Sequence, residues 1–240
     1  MISLSQEWAI LSKVNYGQEF IDELYNFLIK YNVERILECG CGDGHILHGL
    51  ALKGICGIGI DADREMINMA AQNNFHKNIE YKLMNWKDLN KIKEKFDAVL
   101  CRGNSLSIID WGYGKEIDSK IARENIVKGI ESMLSKIKPN GLFYLDSTSQ
   151  REIDKGNQTL VLDYPNLFIN GKIEYDWGKR TRRTYGIGTV NGESFEGSSV
   201  SYLITPKEIE DILKSFNLKK VFYPKIENEK NYDVICGMNN

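Results

Sequence analysis

The sequence has almost no excess of charge. Its 31 Lys and Arg residues stand against 33 Asp and Glu residues, which leaves a net charge of −2 over 240 residues. Proteins that bind nucleic acids or anionic membranes gather these partners through a broad positive field, which this balance cannot create. We therefore expect neither a nucleic-acid partner nor a membrane partner, and any basic binding site must be local.

Long apolar runs are also missing. No stretch approaches the roughly 18 apolar residues that a membrane-spanning helix requires. Residues 1–10 lack the basic and apolar segments of a signal peptide. The sequence therefore predicts a cytoplasmic protein.

The spacing of the cysteines is not that of a disulfide framework or a metal site. The five cysteines form no C-x-x-C pair and have no histidine at metal-ligand spacing. Cys39, Cys56, Cys101 and Cys236 lie in apolar stretches, where a free cysteine behaves as a small buried apolar residue. Cys41 falls in a predicted loop. The sequence predicts neither disulfides nor a bound metal.

Helical and strand patterns alternate from residue 17 to about residue 146. This alternation predicts an α/β fold with a doubly wound, mostly parallel sheet. From about residue 150 to 203, polar and apolar residues alternate between Asn and Gly turns, which predicts a small antiparallel β insertion. Two C-terminal strands are expected to close the chain as an antiparallel hairpin. We expect a single domain over residues 1–240, since this length suits one α/β core.

A glycine-rich turn follows the first predicted strand. Gly40, Gly42 and Gly44 permit a sharp turn and let a ligand approach the backbone without a Cβ atom in the way. A dinucleotide-binding G-x-G-x-x-G pattern starting at Gly40 would need a small residue where His45 stands, so NAD is disfavoured. The G-K-S/T sequence of a phosphate-binding loop is absent. His45 is expected at the surface, where the next helix begins.

Acidic residues end the first two predicted strands, Glu38 the first and Asp61 the second. The carboxyl ends of neighbouring parallel strands meet at the edge of the sheet where ligands bind. A ribose diol offers two O–H donors to such acceptors. This arrangement therefore favours a nucleoside ligand.

Residues 38–44, ECGCGDG, resemble motif I of the class I S-adenosylmethionine-dependent methyltransferases, and residues 57–61, GIGID, resemble their motif II. The resemblance implies a Rossmann-like fold, S-adenosyl-L-methionine as cofactor and S-adenosyl-L-homocysteine as its product. It also implies that the glycine loop wraps the methionine part and that Asp61 binds both ribose hydroxyls. The cofactor-binding residues implied in this way are Glu38, Gly40, Cys41, Gly42, Gly44, Asp61, Ala62, Asn85, Trp86, Cys101 and Gly103.

Residues 96–106 resemble the fourth strand and loop of glycine and sarcosine N-methyltransferases, with which they share a Gly-Asn-Ser run at 103–105. That loop carries acceptor contacts in those enzymes, which implies a catalytic role for Asn104 beside the acceptor. Tyr16 precedes the first predicted helix, where this family closes a lid, so residues 1–33 are expected to form a lid and helix with Tyr16 in the site. The arginine with which those enzymes hold the glycine carboxylate is absent from its expected place, and Arg151 or a basic run could substitute for it.

That basic run is KRTRR at 179–183. Alternate residues of a strand point to opposite sides, so at most two of the run can face one pocket. We expect Arg180, Arg182 or Arg183, together with Arg102, to bind a carboxylate or phosphate of the acceptor. The insertion at 150–203 would then cover the acceptor pocket. The alternative for the run is a solvated strand face.

The resemblance implies methyl transfer to the N or O of a small molecule, and the arginines favour an anionic metabolite. An amine acceptor needs no strong base, whereas a hydroxyl acceptor needs one, for which Asp110, Tyr113 and Asp146 are candidates. Two alternatives stay open, a methyltransferase acting on nucleic acid or protein and a non-catalytic S-adenosylmethionine-binding module. The sequence lacks both the basic character of an RNA enzyme and the N/D-P-P-Y/F motif of amino-methylating ones. We expect a monomer or a homodimer.

Overall fold

A seven-stranded sheet forms the centre of the fold, and a four-stranded sheet is separate from it. The computed structural model describes residues 3–108, 118–165 and 167–240. The first five strands are β1 (Arg35–Cys39), β2 (Cys56–Asp61), β3 (Ile79–Leu83), β4 (Phe96–Cys101) and β5 (Ile137–Thr148). The second sheet consists of β6 (Gln158–Tyr164), β7 (Leu167–Asp176), β8 (Thr181–Val190) and β9 (Glu193–Tyr202). The last two strands are β10 (Lys220–Phe222) and β11 (Tyr232–Met238).

The large sheet has the order β10-β11-β5-β4-β1-β2-β3. Strands β1 to β5 pair in parallel, and β11 runs antiparallel to both of its neighbours. The predicted mostly parallel sheet with a C-terminal antiparallel hairpin is therefore confirmed. The strand order reverses at β1, which pairs with β2 on one side and β4 on the other. In open α/β sheets, ligands bind outside the carboxyl ends of the strands at this switch point.

Helices accompany the large sheet and bury its two faces. They are α1 (Leu4–Asn15), α2 (Gln18–Ile29), α3 (His45–Leu52), α4 (Arg64–Asn73), α5 (Ser119–Leu134), α6 (Gln150–Lys155) and α7 (Pro206–Ser215). In α2, Phe20, Leu24 and Leu28 recur every four positions and form one buried stripe. Ile36 packs in the same apolar cluster as this stripe, and Leu37 packs in the cluster that contains α5 and α7. Alternation along β1 thus supplies a core to each face of the sheet.

Helix α1 lies in the part of the chain where the sequence predicted a lid but no helix of this extent. A capping box between Ser3 and Gln6 starts it. The Ser3 and Ser5 hydroxyls donate to carboxylates next to and within α4, both at 2.7 Å. Ile10 and Leu11 pack against apolar residues of the four-stranded sheet. Helix α1 therefore contacts both α4, which belongs to the large sheet's helices, and the four-stranded sheet.

The four-stranded sheet confirms the antiparallel structure predicted for residues 150–203, with α6 as an addition at its start. Its strands follow chain order, β6-β7-β8-β9, and all pairs are antiparallel. Asn191 and Gly192 join β8 to β9 with φ values of 50° and 82°. Two successive left-handed residues of these types form the turn that suits the twist of a hairpin.

None of the helices in the described ranges combines the length and the apolar content that crossing a membrane requires.

Candidate cofactor and acceptor site

A cavity of about 630 Å³ opens at the carboxyl ends of β1, β2 and β4. Its size is within the range of small-molecule sites. The glycine loop after β1, helix α1 and strand β9 contribute its walls. The sequence-predicted residues that line it are Tyr16, Glu38, Gly40, Cys41, Gly42, Asp61, Ala62, Asn85, Trp86, Arg102 and Gly103. Most of the predicted cofactor-binding set thus meets at the switch point of the sheet.

Asp61 holds the glycine loop in place. One carboxylate oxygen accepts the backbone N–H of Gly42 at 2.9 Å, and the other accepts that of Asp63 at 2.9 Å. Gly40 and Gly42 have φ values of 75° and 56°, in the left-handed region that favours glycine. Burial raises the pKa of Asp61, and the hydrogen bonds from the Asp63 and Gly42 N–H groups oppose this shift. Asp61 retains acceptor capacity at the cavity wall, because each carboxylate oxygen accepts more than one hydrogen bond.

Asn85 and Trp86 follow β3, which pairs with the strand that Asp61 ends. The Asn85 side chain accepts the Lys87 N–H at 3.0 Å and so caps a short 3₁₀ segment, Trp86–Lys91. Trp86 is buried and belongs to the apolar cluster beneath the cavity. Together with Met66 it gives this end of the cavity an apolar surface that suits a planar base.

Two residues of the predicted cofactor set do not line the cavity. Gly44 has a φ of 75°, and a Cβ atom there would lie 2.5 Å from the Tyr81 hydroxyl oxygen. A glycine is therefore required at this position, because Tyr81 leaves no room for a side chain. Cys101 lies in β4 with its side chain fully buried in the apolar core. Packing thus accounts for both residues, and their ligand role stays a prediction.

Glu38 is the penultimate residue of β1 and a buried carboxylate, with only 2% of its surface exposed. Its Oε2 atom has no hydrogen-bond partner among the described residues. Burial raises the pKa of Glu38 to about 7, and the positive charge of Arg102 works against that shift. A buried carboxylate of this kind is suited to a cationic or hydrogen-bond-donating ligand.

Arg102 follows β4 and is 4% exposed. Its guanidinium carbon lies 4.8 Å from the ring centre of Tyr16 and 4.7 Å from that of Phe20. Both rings present their faces to the cation, which stabilises it in a dry environment. The Tyr16 hydroxyl, like two nitrogens of Arg102, has no hydrogen-bond partner within the described chain.

Asn104 does not line the cavity. It is buried with a φ of 58°, and its side-chain oxygen accepts the Thr148 N–H at 3.3 Å. The two oxygens of Asp146 accept the N–H groups of Gly103 at 2.9 Å and Asn104 at 2.7 Å. Asn104 therefore shapes the loop that carries Arg102, which differs from the catalytic role implied by the resemblance. Asp146 is committed to the same loop.

The remaining candidate bases, Asp110 and Tyr113, lie outside the described residues.

The three arginines of the basic run separate. Arg180 makes a forked ion pair with Glu208 of α7, at 2.7 and 2.6 Å to its two oxygens. Arg183 lines a second concavity, away from the first, on the four-stranded sheet. Arg182 donates to Thr184 at 3.1 Å, and its charge acts on Tyr232, a residue of the cavity wall. Of the three, only Arg182 lies near the cavity, and this corrects the acceptor role expected for the other two.

Sequence reasoning missed several residues of the wall. Trp8, Ser12 and Asn15 come from α1, Ser199 and Val200 from β9, and Tyr232 from the start of β11. None has a local signal, because each reaches the cavity only through the packing of its element.

His45 begins α3, as predicted. It is partly buried, and its Nε2 atom lies 3.0 Å from the carbonyl oxygen of Tyr16, to which a protonated Nε2 donates. This contact joins the first residue of α3 to the end of α1. No group of three His, Cys, Asp or Glu side chains in the described ranges could hold a metal ion.

The fold is similar to those of two solved methyltransferases. An S-adenosylmethionine-dependent methyltransferase from Clostridium acetobutylicum aligns over 99% of both chains with a TM-score of 0.75 and 18% identity. The amino pentose methyltransferase CalS10 from Micromonospora echinaspora covers 100% of this chain and 98% of its own, with a TM-score of 0.72 and 14% identity. At these identities the similarity concerns the fold.

Sequence comparison adds a relative and a family. Glycine N-methyltransferase from Rattus norvegicus is 26% identical over 133 residues, which cover 51% of this chain and 43% of that enzyme. The match thus spans less than half the length of this curated relative. The family described as Methyltransferase domain matches residues 32–183. Because that match covers more than half of the chain, the protein belongs to the methyltransferase domain family.

Proposed function

We propose that the protein transfers a methyl group from S-adenosyl-L-methionine to a small, anionic metabolite, and that an amine nitrogen is the acceptor the site supports best. One observation carries the proposal. The glycine loop, Asp61, the buried Glu38 and Tyr16 all line the same cavity. The residues of the cavity suit the cofactor, since Trp86 offers an apolar face, Asp61 accepts hydrogen bonds from hydroxyls and Glu38 is a buried carboxylate.

The cofactor end of the cavity would extend from Trp86 to Glu38. Asp61 would accept the ribose hydroxyls, and the loop from Gly40 to Gly42 lets the ligand approach the backbone closely. When bound, the cofactor supplies an electrophilic sulfonium methyl group. The contribution of the chain is to align donor and acceptor and to exclude water, which is where most of the rate enhancement of such a transfer arises.

The acceptor end would lie between Tyr16, β9 and Tyr232. Asp146 is not part of the cavity wall and is bound to the loop through two backbone N–H groups, so it is poorly placed to remove a proton from a hydroxyl acceptor. A neutral amine attacks without such a base. The names of the similar proteins agree with this preference, because glycine and an amino pentose both carry an amine. Arg182 is the cation placed to bind an anionic group of the acceptor.

Labelled S-adenosylmethionine and a panel of acceptors test the proposal. The panel compares amino acids, amino sugars and their phosphates with matched compounds in which a hydroxyl replaces the amine. We expect label on an anionic amine and none on its hydroxyl counterpart. Labelling of only protein or RNA would refute it, and so would cofactor binding without any transfer.

Adjacent arginines of β8 supply the matched control. Arg182→Ala should raise the acceptor KM about tenfold with little change in kcat, because the lost contact binds ground state and transition state alike. Arg183→Ala should leave the KM unchanged, since Arg183 lies at the other concavity. Equal effects of the two variants would remove Arg182 from the acceptor site.

A further inference from the structure

Two oppositely charged side chains line the cavity without pairing. Glu38 and Arg102 are both more than nine-tenths buried. Within the described chain, Oε2 of Glu38 and the Nε and Nη2 atoms of Arg102 have no hydrogen-bond partner. No ion pair within 4.0 Å joins the two residues. Neither side chain therefore has an ion-pair partner among the described residues.

Such an arrangement is unfavourable unless a ligand completes it. A buried charge loses its hydration, and this cost is recovered only when an opposite charge and hydrogen bonds replace the water. The rings of Tyr16 and Phe20 stabilise the guanidinium but accept no directed hydrogen bond from its edge. Asp146 and Glu229 are the other carboxylates whose charge acts on Arg102, and neither accepts a hydrogen bond from its Nε or Nη2 atom. The guanidinium edge remains available for an anion.

The fold places these two residues at one point. Glu38 is the penultimate residue of β1, and Arg102 directly follows β4, the parallel neighbour of β1. Cys39 and Cys101 pair in register, so the two side chains emerge at the same sheet edge beside the glycine loop. An α-amino acid group carries an ammonium and a carboxylate on one carbon atom. It requires an anion and a cation that are close together and not paired with each other.

We propose that Arg102 binds the carboxylate and Glu38 the ammonium of the amino acid end of S-adenosylmethionine. This inference rests on the proposed function and deepens it. It makes Arg102 a cofactor-binding residue, whereas the sequence predicted that Arg102 binds the acceptor. Arg102 stacks on Tyr16, which directly follows α1, so the bound amino acid group would contact the end of this helix through Arg102. The hydrogen bond between the Tyr16 carbonyl and His45 fixes the same point.

Calorimetry with three ligands tests the two contacts separately. S-adenosylhomocysteine has both the ammonium and the carboxylate, decarboxylated S-adenosylmethionine has only the ammonium, and 5′-methylthioadenosine has neither. Arg102→Met should weaken binding of S-adenosylhomocysteine at least tenfold and leave the other two ligands within about threefold. Glu38→Gln should weaken both ligands that carry the ammonium and spare 5′-methylthioadenosine. The neutral ligand thus reports whether each variant is folded.

Controls cover the other outcomes. Arg180→Met removes a stacked arginine outside the cavity and should change none of the three affinities. If Arg102→Met does not fold, Arg102→Lys keeps the charge without the fork and should still lower the affinity for S-adenosylhomocysteine alone. Unchanged binding of S-adenosylhomocysteine with a raised acceptor KM would overturn the inference and give Arg102 to the acceptor. Wild-type protein that binds none of the three ligands would instead refute the proposed function.

Discussion

Gly42 and Gly44 belong to one loop, and substituting each by alanine should have opposite consequences. Gly42 lines the cavity, and the nearest atom to a Cβ there is Sδ of Met66 at 3.9 Å. A Cβ at Gly44 would lie 2.5 Å from Oη of Tyr81 and 2.6 Å from two of its ring carbons. We expect Gly42→Ala to impair cofactor binding and Gly44→Ala to impair folding.

The magnitudes follow from the backbone and the space. Both glycines have positive φ, so either alanine costs about 1–2 kcal/mol of strain. Gly44→Ala adds overpacking against Tyr81, roughly another 1–3 kcal/mol. Gly44→Ala should therefore lose about 2–5 kcal/mol of stability, a large part of the roughly 5–15 kcal/mol of an ordinary domain. Gly42→Ala should lose only the strain but should bind S-adenosylhomocysteine about tenfold more weakly, because its methyl group occupies the approach of the ligand.

Urea unfolding and calorimetry separate the two effects. Folded Gly44→Ala should bind S-adenosylhomocysteine within about threefold of wild type. In a Tyr81→Ala background, Gly44→Ala should cost only the strain of about 1–2 kcal/mol, since the obstacle is gone. Gly44→Ala protein with the stability of Gly42→Ala and lost ligand binding would refute the steric reasoning. Gly44 would then contact the cofactor, as the resemblance implied.

Three further outcomes are expected. Asp61→Ala should weaken S-adenosylhomocysteine binding by roughly 1–3 kcal/mol in calorimetry, because the ribose hydroxyls lose a charged acceptor; unchanged affinity in folded protein would remove Asp61 from the site. The pKa of Glu38 is raised to about 7 in the free protein, so affinity for the ammonium should increase as the pH rises through about 7, and binding at pH 6 should release close to one proton. Glu38→Gln should abolish this pH dependence, and a flat wild-type profile would contradict it. Arg180→Ala should lower stability by about 1 kcal/mol through loss of the partly exposed Glu208 pair, and its acceptor KM should stay at the wild-type value.

The part of the cavity around the glycine loop could be predicted because its signals are local. Glycines and acids at strand ends identify the turn, and the parallel topology then brings consecutive strand ends together. Glu38, Gly42 and Asp61 meet for this reason alone. Gly44 shows the limit of the pattern, since the residue that excludes a side chain there is Tyr81, which is 37 positions away.

Helix α1 could not be predicted from local sequence signals. Its apolar residues contact two different parts of the molecule. Trp8 and Ala9 line the cavity, and Ile10 packs against the four-stranded sheet. A helix buried on more than one side loses the single stripe by which helices are recognised in sequence. The basic run had a related ambiguity. Alternation along a strand limits how many arginines face one pocket, but the position of Glu208 on a later helix decides the partner of Arg180.

The Gly-Asn-Ser motif determines the backbone conformation of its loop, but not the side chain that the loop presents to the cavity. Asn104 adopts a left-handed conformation that asparagine tolerates better than most residues, and Asp146 holds the N–H groups of Gly103 and Asn104. The motif therefore encodes a backbone shape. That shape directs the preceding residue, Arg102, to the cavity wall between Tyr16 and Glu38. A different side chain at position 102 would leave the loop intact and change the charge offered to the ligand, so selectivity at this point of the site depends on a residue outside the shared run.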